Sequence, residues 1–200
     1  MNDRIREVMS RVDRADFLPP AARRHAPFDL PIAIGHGQTN SQPYTVAVML
    51  RLLDVHPGHR VLDVGSGSGW TTALLHELLD GTGDLTAVEI VPELVEFGRS
   101  NLAAVGRDVT VHQATEGVFG LPDQGPFDRI LVSAEADTLP QELIDQLRVG
   151  GVMVIPVAGT MLRVERINED EAAVTEHGPF RFVPLLRWRG PVNSSGHHRE

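Results

Sequence analysis

The 200-residue sequence contains no cysteine. Disulfides, thiolate nucleophiles and cysteine-ligated zinc are therefore excluded, and no other residue pattern suggests a metal site. The apolar stretch of a secretory signal is missing too. The first turns instead carry Asp3, Arg4, Arg6 and Glu7. No run approaches the ~18 apolar residues of a membrane-spanning helix. Basic charge is in deficit, with 18 Lys and Arg against 27 Asp and Glu, a net charge of -9 and a pI near 5.4. An acidic surface repels phosphate backbones, so neither nucleic acid nor a membrane is an expected partner. Arg181, Arg187 and Arg189 form the one candidate basic stretch and read as a solvated face. The expectation is a cytoplasmic monomer.

Hydrophobic residues make up 42% of the chain and charged residues 22%, ordinary values for a globular protein. The length suits one domain over residues 1–200. Within it, residues 1–55 form a helical and loop segment, and residues 56–190 carry a sheet. Residues 3–12 show helical spacing through Ile5, Val8, Met9 and Val12. From about residue 18 to 43 the chain is rich in Pro and Gly with little periodicity, and long irregular stretches in compact domains are often functional. A helix is predicted over 44–53, with Pro43 at its start. Beyond Pro57-Gly58 short apolar strands alternate with helices. Strands are predicted over 60–64, 84–89, 109–112, 127–132 and 152–157, and helices over 70–79, 92–105 and 141–147. Gly150-Gly151 is read as closing the last helix. Strands apolar on both faces, alternating with helices, predict a doubly wound, mainly parallel α/β sheet. Two antiparallel strands, over about 161–167 and 173–186, are expected to complete it. Residues 193–200 read as a frayed polar end.

Residues 61–70 read V-L-D-V-G-S-G-S-G-W. A buried strand enters a glycine-rich turn, and a helix leaves it. Glycines permit unusual backbone angles and close approach of a ligand. The following helix offers unpaired N–H groups and the positive end of its dipole. In a doubly wound sheet this turn lies at the carboxyl edge, where ligands bind. Glu89 ends the next strand about twenty residues on, placed to accept hydrogen bonds from both hydroxyls of a ribose. The glycines are spaced G-x-G-x-G, one residue tighter than the dinucleotide fingerprint. A nicotinamide or flavin site is the less favoured reading.

That spacing resembles the first motif of class I methyltransferases. The resemblance implies S-adenosyl-L-methionine as cofactor, held by Gly65, Ser66, Gly67 and Gly69, with Asp63 near its cationic amino-acid end. A second resemblance is more specific. Residues 30–44, L-P-I-A-I-G-H-G-Q-T-N-S-Q-P-Y, are similar to the segment P-I-G-x-G-Q-T-I-S-x-P of the protein-L-isoaspartate O-methyltransferases. Arg14-Ala15-Asp16-Phe17 resembles that family's R-x-x-F. Pro126-Phe127-Asp128, Gly150-Gly151 with Pro156-Val157, and the R-F-V-P-L of residues 181–185 also correspond. The resemblance spans nearly the whole chain. It implies a seven-stranded Rossmann-like methyltransferase sheet with helices on both faces. It also implies methylation of L-isoaspartyl residues in damaged proteins and peptides, with Thr39 and Ser41 facing the acceptor carboxylate. His36, in the same segment, is read as an ordinary loop histidine.

The sequence departs from the family pattern at three places. Thr115-Glu116-Gly117 stands where the family has G-D-G, so Glu116 and Gly117 are carried over to the adenine side of the cofactor with a longer acidic arm. Glu135 stands in a small-residue run after the fourth strand, either turned to solvent or beside the reacting centre. Asn40 replaces an aliphatic residue and is expected to add polarity to the acceptor pocket. Glu135 and Asn40 motivate an alternative, a related carboxyl methyltransferase for aspartate or another carboxylate in a dedicated peptide. A protein that binds the cofactor without turnover is a third reading.

Overall fold

Residues 3–187 are described in the computed structural model. The expected frayed end and Arg189 lie outside them. The first helix, α1 (Asp3–Arg11), packs by Ile5 and Val8 against the core. Two 3-10 turns follow, at Arg14–Phe17 and Pro20–His25. Then comes a short antiparallel ribbon, β1 (Ile32–Gly35) and β2 (Gln38–Asn40), which the irregular reading of this stretch missed. Its signal was present in the sequence: Ile32 and Ile34 alternate with exposed neighbours, and His36-Gly37 forms a two-residue turn with φ of 54° and 72°. Positive φ at both turn positions matches the twist of a tight hairpin.

Helix α2 (Pro43–Leu53) leads into β3 (Arg60–Val64). Then follow α3 (Trp70–Leu78), β4 (Asp84–Glu89), α4 (Pro92–Ala104), β5 (Thr110–Gln113) and β6 (Phe127–Val132). The chain ends in α5 (Gln141–Ile144), β7 (Leu147–Val157), β8 (Thr160–Arg166) and β9 (Ala172–Pro179). The seven strands β3 to β9 lie in the order β5-β4-β3-β6-β7-β8-β9. The pairs from β5 to β7 are parallel; β8 and β9 are antiparallel additions.

Alternation along the strands divides two cores. Val61, Ala87, Leu131 and Val154 face α1, α2, α3 and α4. Leu62, Val64, Ile130, Val132 and Met153 face the short α5 and its flanking loops. The second face is thus covered mostly by irregular chain rather than by full helices.

Two sequence boundaries need correction. The helix expected over 141–147 stops at Ile144, and Gly150-Gly151 does not cap it. Both glycines belong to a bulge in β7, where Phe127 pairs with Leu147 but Arg129 pairs with Val152. Gly150 has φ of 77°, and a Cβ on Gly151 would stand 2.8 Å from the Arg148 carbonyl oxygen. The last strand ends at Pro179, not near residue 186. Beyond Gly178, at φ 90°, the chain leaves the edge and runs beside Glu135, pairing Pro184 with it.

Candidate active site

The carboxyl ends of β3, β4 and β6 converge on the glycine turn. Gly65, Gly67 and Gly69 all have positive φ, at 79°, 53° and 90°. The turn is fixed from several sides. Glu89, 5% exposed at the end of β4, accepts from the Gly67 N–H at 2.8 Å through Oε2. Its Oε1 accepts from the N–H groups of Ile90 at 2.7 Å and Val91 at 2.9 Å. Asn101 of α4 donates to the Ser68 carbonyl at 2.9 Å. Gly98 lets α4 approach closely, since a Cβ there would lie 3.0 Å from the Gly67 carbonyl oxygen. A carboxylate offers about four acceptor positions. Three of those on Glu89 are already bound by N–H groups, so accepting both hydroxyls of a ribose requires one of them to let go.

Three cavities join around this turn. The first is lined by Gly65, Gly67, Glu89, Ala114, Val118 and Phe119, and roofed by Val183 to Leu186. The second lies between Ser41, Ser66, Ser68 and Thr71. The third opens between Ser41, Gln42, Thr45 and Arg181. Thr39 and Ser133 line all three. Thr39 comes from the ribbon and Ser133 from the end of β6, so the N-terminal segment and the sheet each supply one hydroxyl to the junction. Ser41 lines the second and third.

Arg14 builds the ribbon side. It is 5% exposed, and burial lowers its pKa to about 10, so it stays charged at neutral pH. Its guanidinium donates to the carbonyls of Phe28 at 2.9 Å, Leu30 at 2.8 Å and Ser41 at 2.9 Å. Its Nε donates to the Asn40 side chain at 2.7 Å, and Asn40 donates to Ser68 Oγ at 3.1 Å. Asn40 therefore ties the ribbon to the glycine turn. It lines the second cavity, but its amide is engaged by Arg14 and Ser68, contrary to the expectation of a free polar group for the acceptor.

Several other expectations shift. Asp63 is fully buried beneath the turn and is absent from the cavity walls. Its Oδ2 accepts from Thr72 Oγ1 at 2.6 Å, whereas Oδ1 and the buried Ser66 Oγ have no hydrogen-bond partner among the described residues. Burial pushes the Asp63 pKa up to about 7, against the Thr72 hydrogen bond and with Glu89 adding to the rise. Glu116 is exposed and lines none of the three cavities, whereas Ala114, Val118 and Phe119 line the first. Gly117 sits outside the first cavity, its carbonyl accepting from Arg187 at 2.8 Å. Glu135 also lines none of them. Its main chain bonds Val183 and Leu185 and so positions the roof. Arg187 is exposed, as expected of a solvated face, and also pairs with Glu142 at 2.7 Å and lies over the Phe119 ring. His36 is exposed, 4.0 Å from Glu93.

Other cavity-lining positions were not among the residues expected at the site. Ser133 was legible as the residue following a central strand at the carboxyl edge. The roof of residues 183–186 was not, because its placement depends on a long-range pairing with Glu135.

A parallel sheet whose first strand, glycine turn and strand-end acid enclose a cleft of this kind defines a nucleoside-cofactor site of the Rossmann-like class. The chain belongs to the protein-L-isoaspartate(D-aspartate) O-methyltransferase family, whose model matches residues 1–189. A protein-L-isoaspartate O-methyltransferase of Methanopyrus kandleri is 42% identical over 194 residues, covering 94% of this chain and 86% of its own. One of Myxococcus xanthus is 44% identical over 189 residues, covering 91% and 88%. Among solved structures, a Plasmodium falciparum protein assigned to the same activity, in complex with S-adenosyl-L-homocysteine, superposes with a TM-score of 0.82. It is 27% identical and covers 92% of this chain and 91% of its own.

Proposed function

We propose that this chain is an S-adenosyl-L-methionine-dependent methyltransferase that esterifies the free carboxylate of L-isoaspartyl residues in damaged proteins and peptides. The observation that carries the reading is the junction at Thr39 and Ser133, where the cleft over the glycine turn meets the cavity beside Ser41. The residues present fit the cofactor. Glu89 suits the ribose, the apolar wall of Ala114, Val118 and Phe119 suits the adenine, and Ser66 and Ser68 suit the amino-acid end. Asp63 is buried beneath the turn with no partner for Oδ1 among the described residues, and an ammonium group held at that end would favour its ionised form.

The cofactor supplies an electrophilic methyl group on a sulfonium. An acceptor carboxylate is already ionised at neutral pH, so no general base is needed. The remaining work is to hold one oxygen in line and to exclude water. Thr39, Ser41 and Ser133 offer hydroxyl donors that orient a carboxylate without neutralising it. The roof of residues 183–186 excludes solvent over the cofactor. The N-terminal segment furnishes Thr39 and Ser41 to the acceptor side, and the sheet with the stretch that follows it furnishes the cofactor side together with Ser133 and Arg181. No helix among the described residues is long and apolar enough to cross a membrane. A cytoplasmic monomer acting on proteins rather than nucleic acids is part of the same reading.

The two residues that motivated a different peptide substrate lose that force. Asn40 is engaged structurally, and Glu135 stands off the cavity walls. Purified protein, labelled S-adenosyl-L-methionine and two peptides differing only in an isoaspartyl or aspartyl residue provide the test. Ester on the isoaspartyl peptide alone supports the reading; ester on neither, with the cofactor bound, overturns it.

A further inference from the structure

Among the described residues, two charged side chains line the joined cavities, Glu89 and Arg181. Glu89 is engaged by backbone N–H groups on both oxygens. Arg181 is exposed at the mouth of the cavity that holds Thr39, Ser41 and Ser133. It makes no hydrogen bond or ion pair with any described residue. Arg187, six positions on, shows the contrast. It grips both oxygens of Glu142 and the Gly117 carbonyl, and covers the Phe119 ring. The other residues lining the same cavity, among them Pro31, Gln42, Thr45 and Phe182, are uncharged.

A guanidinium is always charged and matches a carboxylate with paired donors. Set on the methyl-accepting oxygen, it would draw electron density from the nucleophile, a task the hydroxyls perform without that cost. At the rim, in a chain of net charge -9, it is an isolated spot of attraction for an anion. Building on the function proposed above, we infer that Arg181 is a specificity-determining residue that pairs with an acidic side chain adjacent to the isoaspartyl residue of the peptide substrate.

The test uses isoaspartyl peptides of one sequence, with Glu, Gln or Lys immediately before the isoaspartyl residue and, in a second series, immediately after it. In one of the series KM rises from Glu to Gln to Lys by about two- to fivefold per step, the size of an exposed ion pair. Arg181→Ala brings the ratio of the Gln to the Glu KM close to one, Arg181→Lys keeps most of it, and Arg181→Glu inverts the order. The ratio is the readout because loss of a merely structural arginine raises KM for all three peptides alike. Equal KM values in both series, or a ratio unchanged in Arg181→Ala, overturn the inference. Failure to methylate even the Gln peptides, with the cofactor bound, is a different result and removes the function on which the inference rests.

Discussion

Asp63 and Glu89 are two acids beneath and beside one glycine turn, held in opposite ways. Three backbone N–H groups engage both oxygens of Glu89, whereas Asp63 has one hydroxyl partner and, among the described residues, none for its other oxygen. A pKa raised from 3.8 to about 7 has a definite consequence for stability. Below pH 3.8 the carboxyl is protonated in folded and unfolded chains alike. Between 3.8 and about 7 the unfolded chain releases the proton and the folded chain keeps it, so stability falls as pH rises. Above that window the cost persists in full. Asp63→Asn removes this titration. Its melting temperature relative to the parent should therefore be higher at about pH 8 than at about pH 4.5, and a difference independent of pH would contradict the assignment. At the junction, Ser41→Ala should lower turnover about tenfold or more while changing cofactor affinity little, since a positioned donor acts on the acceptor. Glu89→Ala should do the reverse, weakening S-adenosyl-L-homocysteine binding in calorimetry. Equal losses of both in either variant would misplace that residue.

The element that sets the cleft is the turn between β3 and α3, pressed by α4. Gly98→Ala places a methyl group 3.0 Å from the Gly67 carbonyl oxygen, a tight contact that the turn or α4 must relieve by a few tenths of an ångström. The expected result is a melting temperature lowered by several degrees, from a cost of about 1–3 kcal/mol, together with weaker cofactor binding. Unchanged affinity would show that the turn does not form the cofactor site. At this scale the sequence was informative where signals were local. The apolar runs of β3, β4 and β6, bounded by Gly, Pro or Asp, gave the observed limits. It was less so where tertiary pairing decides. Gly150-Gly151 looks like a helix stop in isolation, yet the close Arg148 carbonyl makes it a strand bulge. Residues 180–187 look like more strand, yet Glu135 captures them as a roof. Within the candidate site, Thr39, Ser41, the glycines and Glu89 were legible from the resemblance and the strand–turn–strand pattern. The exposure of Glu116 outside the cavities, and the burial of Asp63, depend on packing that no local spacing encodes.

Across the described residues, the N-terminal segment through Thr39 and Ser41 and the C-terminal stretch of residues 181–186 meet at the carboxyl edge of one sheet. The N-terminal segment is pinned by Arg14 and brings Thr39 and Ser41. The C-terminal segment is pinned by Glu135 and Arg187 and brings the roof and Arg181. The acceptor is thereby presented to a cleft that can exclude water. Once the ester has formed, the later steps belong to the product's own chemistry. The neighbouring backbone amide nitrogen attacks the ester carbonyl, methanol leaves and a succinimide forms; water then opens the ring at either carbonyl, giving an aspartyl link in part and an isoaspartyl link that can be methylated again. The most direct measurement is a time course of one isoaspartyl peptide with the protein and S-adenosyl-L-methionine, separating isoaspartyl, ester, succinimide and aspartyl forms. Loss of the isoaspartyl form through the ester, with the aspartyl form accumulating only when cofactor is present, is the predicted result. A stable isoaspartyl peptide beside consumed cofactor, or ester appearing on the aspartyl peptide instead, would contradict the account.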